Sequence, residues 1–129
     1  VASKYQAELI EAEHEEKIMM DFGNNVSLQY FPKRTHPFWN MKYAGDGVYC
    51  KVDVILDGGE TIGSAERSCN PEEMEKQFYE ISDGKYAEIL FNHFGEKRVI
   101  QELDEYLSYN MFPRFGGGIG VNRLTKALK

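Results

Sequence analysis

The chain has 129 residues, a net charge of −6, 42% hydrophobic residues and 13% aromatic ones. That length suits one domain with a real core, so residues 1–129 are read as a single unit. No apolar run approaches the roughly 20 residues that cross a bilayer, and the acidic balance works against this chain gripping nucleic acid by itself.

No charged-then-apolar leader precedes the fold, so a cytoplasmic protein is expected. The first residue is Val rather than Met, which fits processing or a piece excised from something longer. Cys50 and Cys69 are too few for a disulfide framework and lack metal-site spacing.

Residues 4–22 read as an acid-rich helix with Leu9, Ile10, Ile18, Met19 and Met20 on an imperfect apolar face. Gly23-Asn24-Asn25 ends it. His14 on that helix is expected to be solvated. Val26–Tyr30 is a short strand, and a loop follows through Pro32 and Pro37. Phe38–Lys42 reads as the next strand. Gly45-Asp46-Gly47 is a turn, Val48–Leu56 alternates as a strand, Asp57-Gly58-Gly59 turns again, and Glu60–Arg67 returns as its partner.

Asn70-Pro71-Glu72-Glu73 starts a helix: asparagine caps, proline fits the first turn, and acids suit the positive end. Met74, Phe78 and Ile81 share its apolar face. A second helix carries Tyr86, Ile89, Leu90 and Phe94 and stops at Gly95; a third carries Val99, Ile100, Leu103, Tyr106 and Leu107. Strands that meander with helices gathered together define an α+β fold, a mostly antiparallel sheet with flanking helices.

Two stretches hold candidate chemistry. In Phe115-Gly116-Gly117-Gly118-Ile119-Gly120 the missing side chains leave room for a flat group on an extended backbone. Val121, Leu124 and Leu128 then follow at helical spacing, which puts Arg123 in the first turn, where a guanidinium suits phosphate oxygens. The Rossmann fingerprint fails because Val121 stands where glycine is needed, and no Gly-Lys-Ser/Thr triplet makes a P-loop. A glycine-rich turn capping a helix is the simpler alternative. In the hairpin of residues 53–67, Asp53 and Glu60 lie on neighbouring strands. Such a carboxylate pair can share Mg²⁺ with substrate phosphates, or merely keep an edge soluble.

In order along the chain, three blocks resemble the class II aminoacyl-tRNA synthetases, in particular the aspartyl and asparaginyl enzymes. Val26-Ser27-Leu28-Gln29-Tyr30-Phe31-Pro32 with Pro37-Phe38-Trp39-Asn40-Met41 is similar to their Val-Thr-x-Tyr-Pro…Pro-Phe-Tyr-Met stretch. Asp53-Val54-Ile55-Leu56…Gly59-Glu60-Thr61-Ile62-Gly63-Ser64-Ala65-Glu66-Arg67 is similar to Asp-Leu-Leu…Gly-Glu-Ile-x-Gly-Gly-Ser-x-Arg. Residues 115–128 resemble motif 3, Gly-x-Gly-x-Gly-x-Glu-Arg. No counterpart of motif 1 or motif 2 is found, so the resemblance covers the second half of the family's catalytic domain.

The resemblance implies an ATP-dependent ligase activating aspartate or asparagine to an aminoacyl-adenylate, with ATP and Mg²⁺ as cofactors. Asp53 and Glu60 would hold the metal, and Arg67 the amino-acid side chain. Gly116, Gly118 and Gly120 would line the adenine site, and Arg123 would clamp a phosphate. Ser64 and Ala65 depart from the family's Gly-Ser, which puts the amino-acid pocket in question. Asn122 stands where the tRNA-charging enzymes carry an acid, closer to ammonia-dependent asparagine synthetase and the archaeal asparagine-synthetase-related proteins. The acceptor is therefore tRNA or ammonia. A homodimer, or pairing with a missing N-terminal half, is expected. Without motif 2 the alternative is a non-catalytic binding or regulatory module, or an inactive fragment.

Overall fold

A computed structural model describes residues 1–129. Five strands form one antiparallel sheet: β1 (Asn25–Pro32), β2 (Tyr43–Gly45), β3 (Val48–Leu56), β4 (Gly59–Glu66) and β5 (Phe115–Ile119). The order is β1-β3-β4-β5, with β2 paired to the start of β3 across from the end of β1, on the side where β4 lies. Five helices complete it: α1 (Ala12–Phe22), α2 (Pro71–Glu80), α3 (Lys85–Phe94), α4 (Glu96–Ser108) and α5 (Val121–Ala127). No helix is long and apolar enough to cross a membrane.

Both tight hairpins turn on Asp-Gly. Asp46 and Gly47 have φ of 52° and 76°, and Asp57 and Gly58 have 49° and 75°. Positive φ at both central residues matches the right-handed twist of the flanking strands, which is why this dipeptide is favoured there. The second turn sets β3 against β4 from Leu56↔Gly59 onward.

Two separate cores hold the chain. In one, α1 lies over the hairpin end of the sheet, where Ile18, Ile55 and Thr61 are almost wholly buried. In the other, Phe78, Ala87, Val99 and Leu103 of α2–α4 pack together, with Trp39 and Tyr86 against them. The Trp39 ring stands edge-on to Phe78 and Tyr106, with centroids 5.6 and 5.4 Å away. The start of α2 is capped as its sequence implies, the Glu73 N–H donating to Asn70 Oδ1 at 3.2 Å. Ser68 Oγ also donates to Glu73 Oε2 at 2.9 Å.

The structure departs from three expectations. The helix expected over 4–22 is a single 3₁₀ turn at Ala2–Tyr5, a break, and α1 from Ala12. His14 explains the late start. Its Nδ1 accepts the Glu11 N–H at 3.1 Å while the Glu11 side chain caps the first turn, so His14 is a largely covered capping residue, not a solvated one. The strand expected over Phe38–Lys42 is a turn, the Met41 N–H donating to Phe38 O at 2.9 Å, with one isolated bridge from Met41 to Arg67. The helices draw Trp39 inward while Phe38 stays exposed, its ring edge-on to Tyr86, and that packing bends the segment away from the sheet.

Candidate active site

The site is one face of the sheet, built by cross-strand pairing. Residues opposite one another in an antiparallel pair share a face. Asp53 opposes Gly63, which opposes Gly118; Lys51 opposes Ala65, which opposes Gly116. Those two rows give a floor of small residues with Asp53 and Lys51 at one side.

Glu60 joins this face through a β-bulge. Glu60 and Gly63 are an odd number of residues apart, so simple alternation would put them on opposite faces. The register slips by one residue as β4 passes Ile55 and Val54, leaving Thr61 as the extra residue and pairing Glu60 with Ile55. The slip re-aims Glu60 toward Asp53, a usual role of a bulge beside a site. A Cβ added to Gly63 would sit 2.9 Å from Glu60 Oε1 and 3.5 Å from Asp53 Oδ1, so both carboxylates border the space that this glycine leaves open. The bulged Thr61 also fixes the next element, its carbonyl accepting the Gly120 N–H at 2.8 Å where β5 hands over to α5.

Asp53 is buried and its Oδ1 has no hydrogen-bond partner. The Glu60 carboxyl is pushed above the usual carboxylate range, chiefly by burial and next by the Asp53 charge, with Lys51 and Arg123 pulling partly the other way. No cluster of three or more His, Cys, Asp or Glu exists. A carboxylate pair with an orphaned oxygen is still a fitting donor set for Mg²⁺, which takes one or two carboxylates and keeps phosphates or waters elsewhere.

A cleft of ≈ 390 Å³ brings the two candidate stretches together, lined by Glu60, Gly63, Gly118, Gly120, Asn122 and Arg123 among others. Arg123 projects from the first turn of α5 and donates through Nη1 to the Glu60 carbonyl. Gly116 is not part of this cleft. It lies beneath Arg67, whose Nη2 donates to Gly116 O at 3.0 Å and whose Nη1 donates to Asn40 Oδ1 at 3.1 Å. A Cβ at Gly116 would come within 2.7 Å of Arg67 Nε, so this glycine makes room for the guanidinium. Arg67 thus stands on the same sheet face, further along it. Sequence reasoning missed Lys51 and Asn40. Period-two spacing from Asp53 points to Lys51; nothing local points to Asn40.

Solved synthetase structures share this α+β arrangement. The asparaginyl-tRNA synthetase of Entamoeba histolytica in complex with asparaginyl-adenylate superposes with a TM-score of 0.70 at 21% identity, covering 94% of this chain and 26% of that one. The Pyrococcus horikoshii asparaginyl-tRNA synthetase complexed with asparaginyl-adenylate gives 0.69 at 19%, covering 98% and 28%. The Entamoeba histolytica aspartyl-tRNA synthetase gives 0.65 at 21%, covering 93% and 24%. The chain spans about a quarter of the length of these structures. A family model, tRNA synthetases class II (D, K and N), matches residues 4–129. The chain belongs to that family.

Proposed function

We propose that this chain carries the face on which a synthetase activates aspartate or asparagine with ATP, forming an aminoacyl-adenylate and pyrophosphate. The observation that carries the reading is the shared cleft. Glu60 beside Asp53, the bare glycine backbone of Gly118 and Gly120, and Arg123 converge there from three elements. Adenine would lie on the glycine strand and Arg123 would grip phosphate oxygens as a fork. Asp53 and Glu60 would hold Mg²⁺, which when bound neutralises phosphate charge. Arg67, with two of its donors fixed by Asn40 and Gly116, would meet the amino-acid side chain. A guanidinium suits a carboxylate or amide oxygen and repels an ammonium, which favours aspartate and asparagine over lysine.

In this reaction a carboxylate oxygen of the amino acid attacks the α-phosphorus and pyrophosphate leaves. The protein supplies no nucleophile; its residues align the reactants and compensate charge. Family membership and the adenylate complexes of the two asparaginyl-tRNA synthetases support this assignment. tRNA is the favoured final acceptor on the same ground, with ammonia the alternative that Asn122 keeps in play.

Amino-acid-dependent exchange of pyrophosphate into ATP tests the proposal on the full chain with Mg²⁺. Exchange that requires aspartate or asparagine and falls at least about a hundredfold in Arg123→Ala is expected. Binding of ATP with no exchange for either amino acid would instead make the chain a binding module.

A further inference from the structure

The carboxylate pair already holds a cation of its own. Lys51 lies two residues before Asp53 on β3, on the same face, and its ammonium is paired with Asp53 Oδ2. The side chains are 24% and 8% exposed, so this pair is largely withdrawn from water and its attraction exceeds that of a surface ion pair. The ammonium also sits 3.9 Å from the centroid of the Phe31 ring.

Phe31 reaches this face through a second irregularity. β1 pairs Gln29 with Val52 but Phe31 with Tyr49, and Tyr30 between them has φ of 59°. Without that slip Phe31 would share the face of Gln29 and Val52, away from Lys51. One bulge therefore turns Glu60 toward Asp53, and another turns an aromatic ring toward the lysine that neutralises it.

We propose that Lys51 is a tethered competitor for the divalent cation at Asp53 and Glu60. Its ammonium occupies Asp53 Oδ2 in the metal-free chain and must leave before a cation can use both oxygens of that carboxylate. Free cation therefore binds weakly. Nucleotide favours the exchange, because its phosphate oxygens accept the displaced ammonium. This inference rests on the metal-holding role of Asp53 and Glu60 proposed above.

The test is Mn²⁺ binding to the full chain without nucleotide, followed by the loss of the free-ion paramagnetic resonance signal, with circular dichroism confirming the fold. Lys51→Met is expected to bind Mn²⁺ about tenfold more tightly than wild type. Phe31→Leu, which loosens the lysine without removing it, should shift affinity the same way by less. Should Lys51→Met fail to fold, Lys51→Gln keeps a donor to Asp53 without the charge and is expected to tighten binding too. Unchanged or weaker binding in the folded Lys51 variant, with binding still lost in Glu60→Gln, would overturn the competitor and leave the metal site standing. Binding indifferent to Glu60→Gln in both backgrounds, or no binding by any variant, would overturn the metal site itself and the competitor with it.

Discussion

At Glu60, burial and the Asp53 charge raise the folded-state carboxyl pKa above its ordinary 4.5. The native state then binds more protons than the unfolded chain between the two values, and stability falls as pH rises through that window. Below 4.5 the penalty is absent; above the folded-state value it is fully present. Gln at this position removes the charge, and the side chain sits beside Gly63 where a similar shape fits. In chelator, Glu60→Gln should be more stable than wild type at neutral pH, and the two should converge as pH falls through the carboxylate range. Urea denaturation at a series of pH values checks this; parallel curves would mean that Glu60 is not under that strain. The same residue shows what single positions hide. Asp53, Glu60 and Arg123 were legible as candidate chemistry from their types and neighbours, and Arg67 only through the family resemblance. Lys51 was not, because a lysine on a strand ordinarily reads as a solvated edge residue.

Among the elements, β5 makes the sharpest contrast, since its glycines serve different ends. Gly117 lies on the opposite face, exposed but tight against β4, where an added Cβ would come within 2.6 Å of the Gly63 carbonyl and 2.7 Å of Ser64 Cβ. At Gly118 an added Cβ meets nothing within 4 Å and borders the cleft. Gly117→Ala should therefore destabilise the fold by roughly 1–3 kcal/mol. Gly118→Ala should leave stability within about 0.5 kcal/mol while weakening nucleotide binding. Thermal melts paired with nucleotide titration separate the two; equal losses of stability would contradict the assigned faces. Elements with local chemical punctuation were readable from sequence: the Asp-Gly hairpins, the Asn70-Pro71 helix start, and the stop at Gly95. Those decided by distant partners were not. Trp39 leaves its expected strand because Phe78 and Tyr106, far along the chain, hold it. The bulges at Thr61 and near Tyr30 have no local signature either, since alternation alone carries the register straight through them.

Over the whole molecule, burial is sparse: 14 of 129 residues are buried, and Phe115, Val121 and Leu128 around the glycine strand are 79%, 70% and 78% exposed. The cleft is thus assembled from the sheet and α5, without help from the α2–α4 core, and it sits at the edge formed by β5. The sequence pattern located this region through its glycines and Arg123. The convergence of that region with the Asp53–Glu60 hairpin depends on β4 pairing with β5, a contact across about fifty residues that no local pattern encodes. The central claim is that this convergence makes one Mg²⁺-nucleotide site. Calorimetric titration of ATP into the full chain, with and without Mg²⁺ and in wild type and Arg123→Ala, tests it most directly. Saturable one-site binding that strengthens with Mg²⁺ and weakens about tenfold or more in Arg123→Ala is the expected result. No binding by the wild-type chain, or binding that Arg123→Ala leaves unchanged, would contradict it.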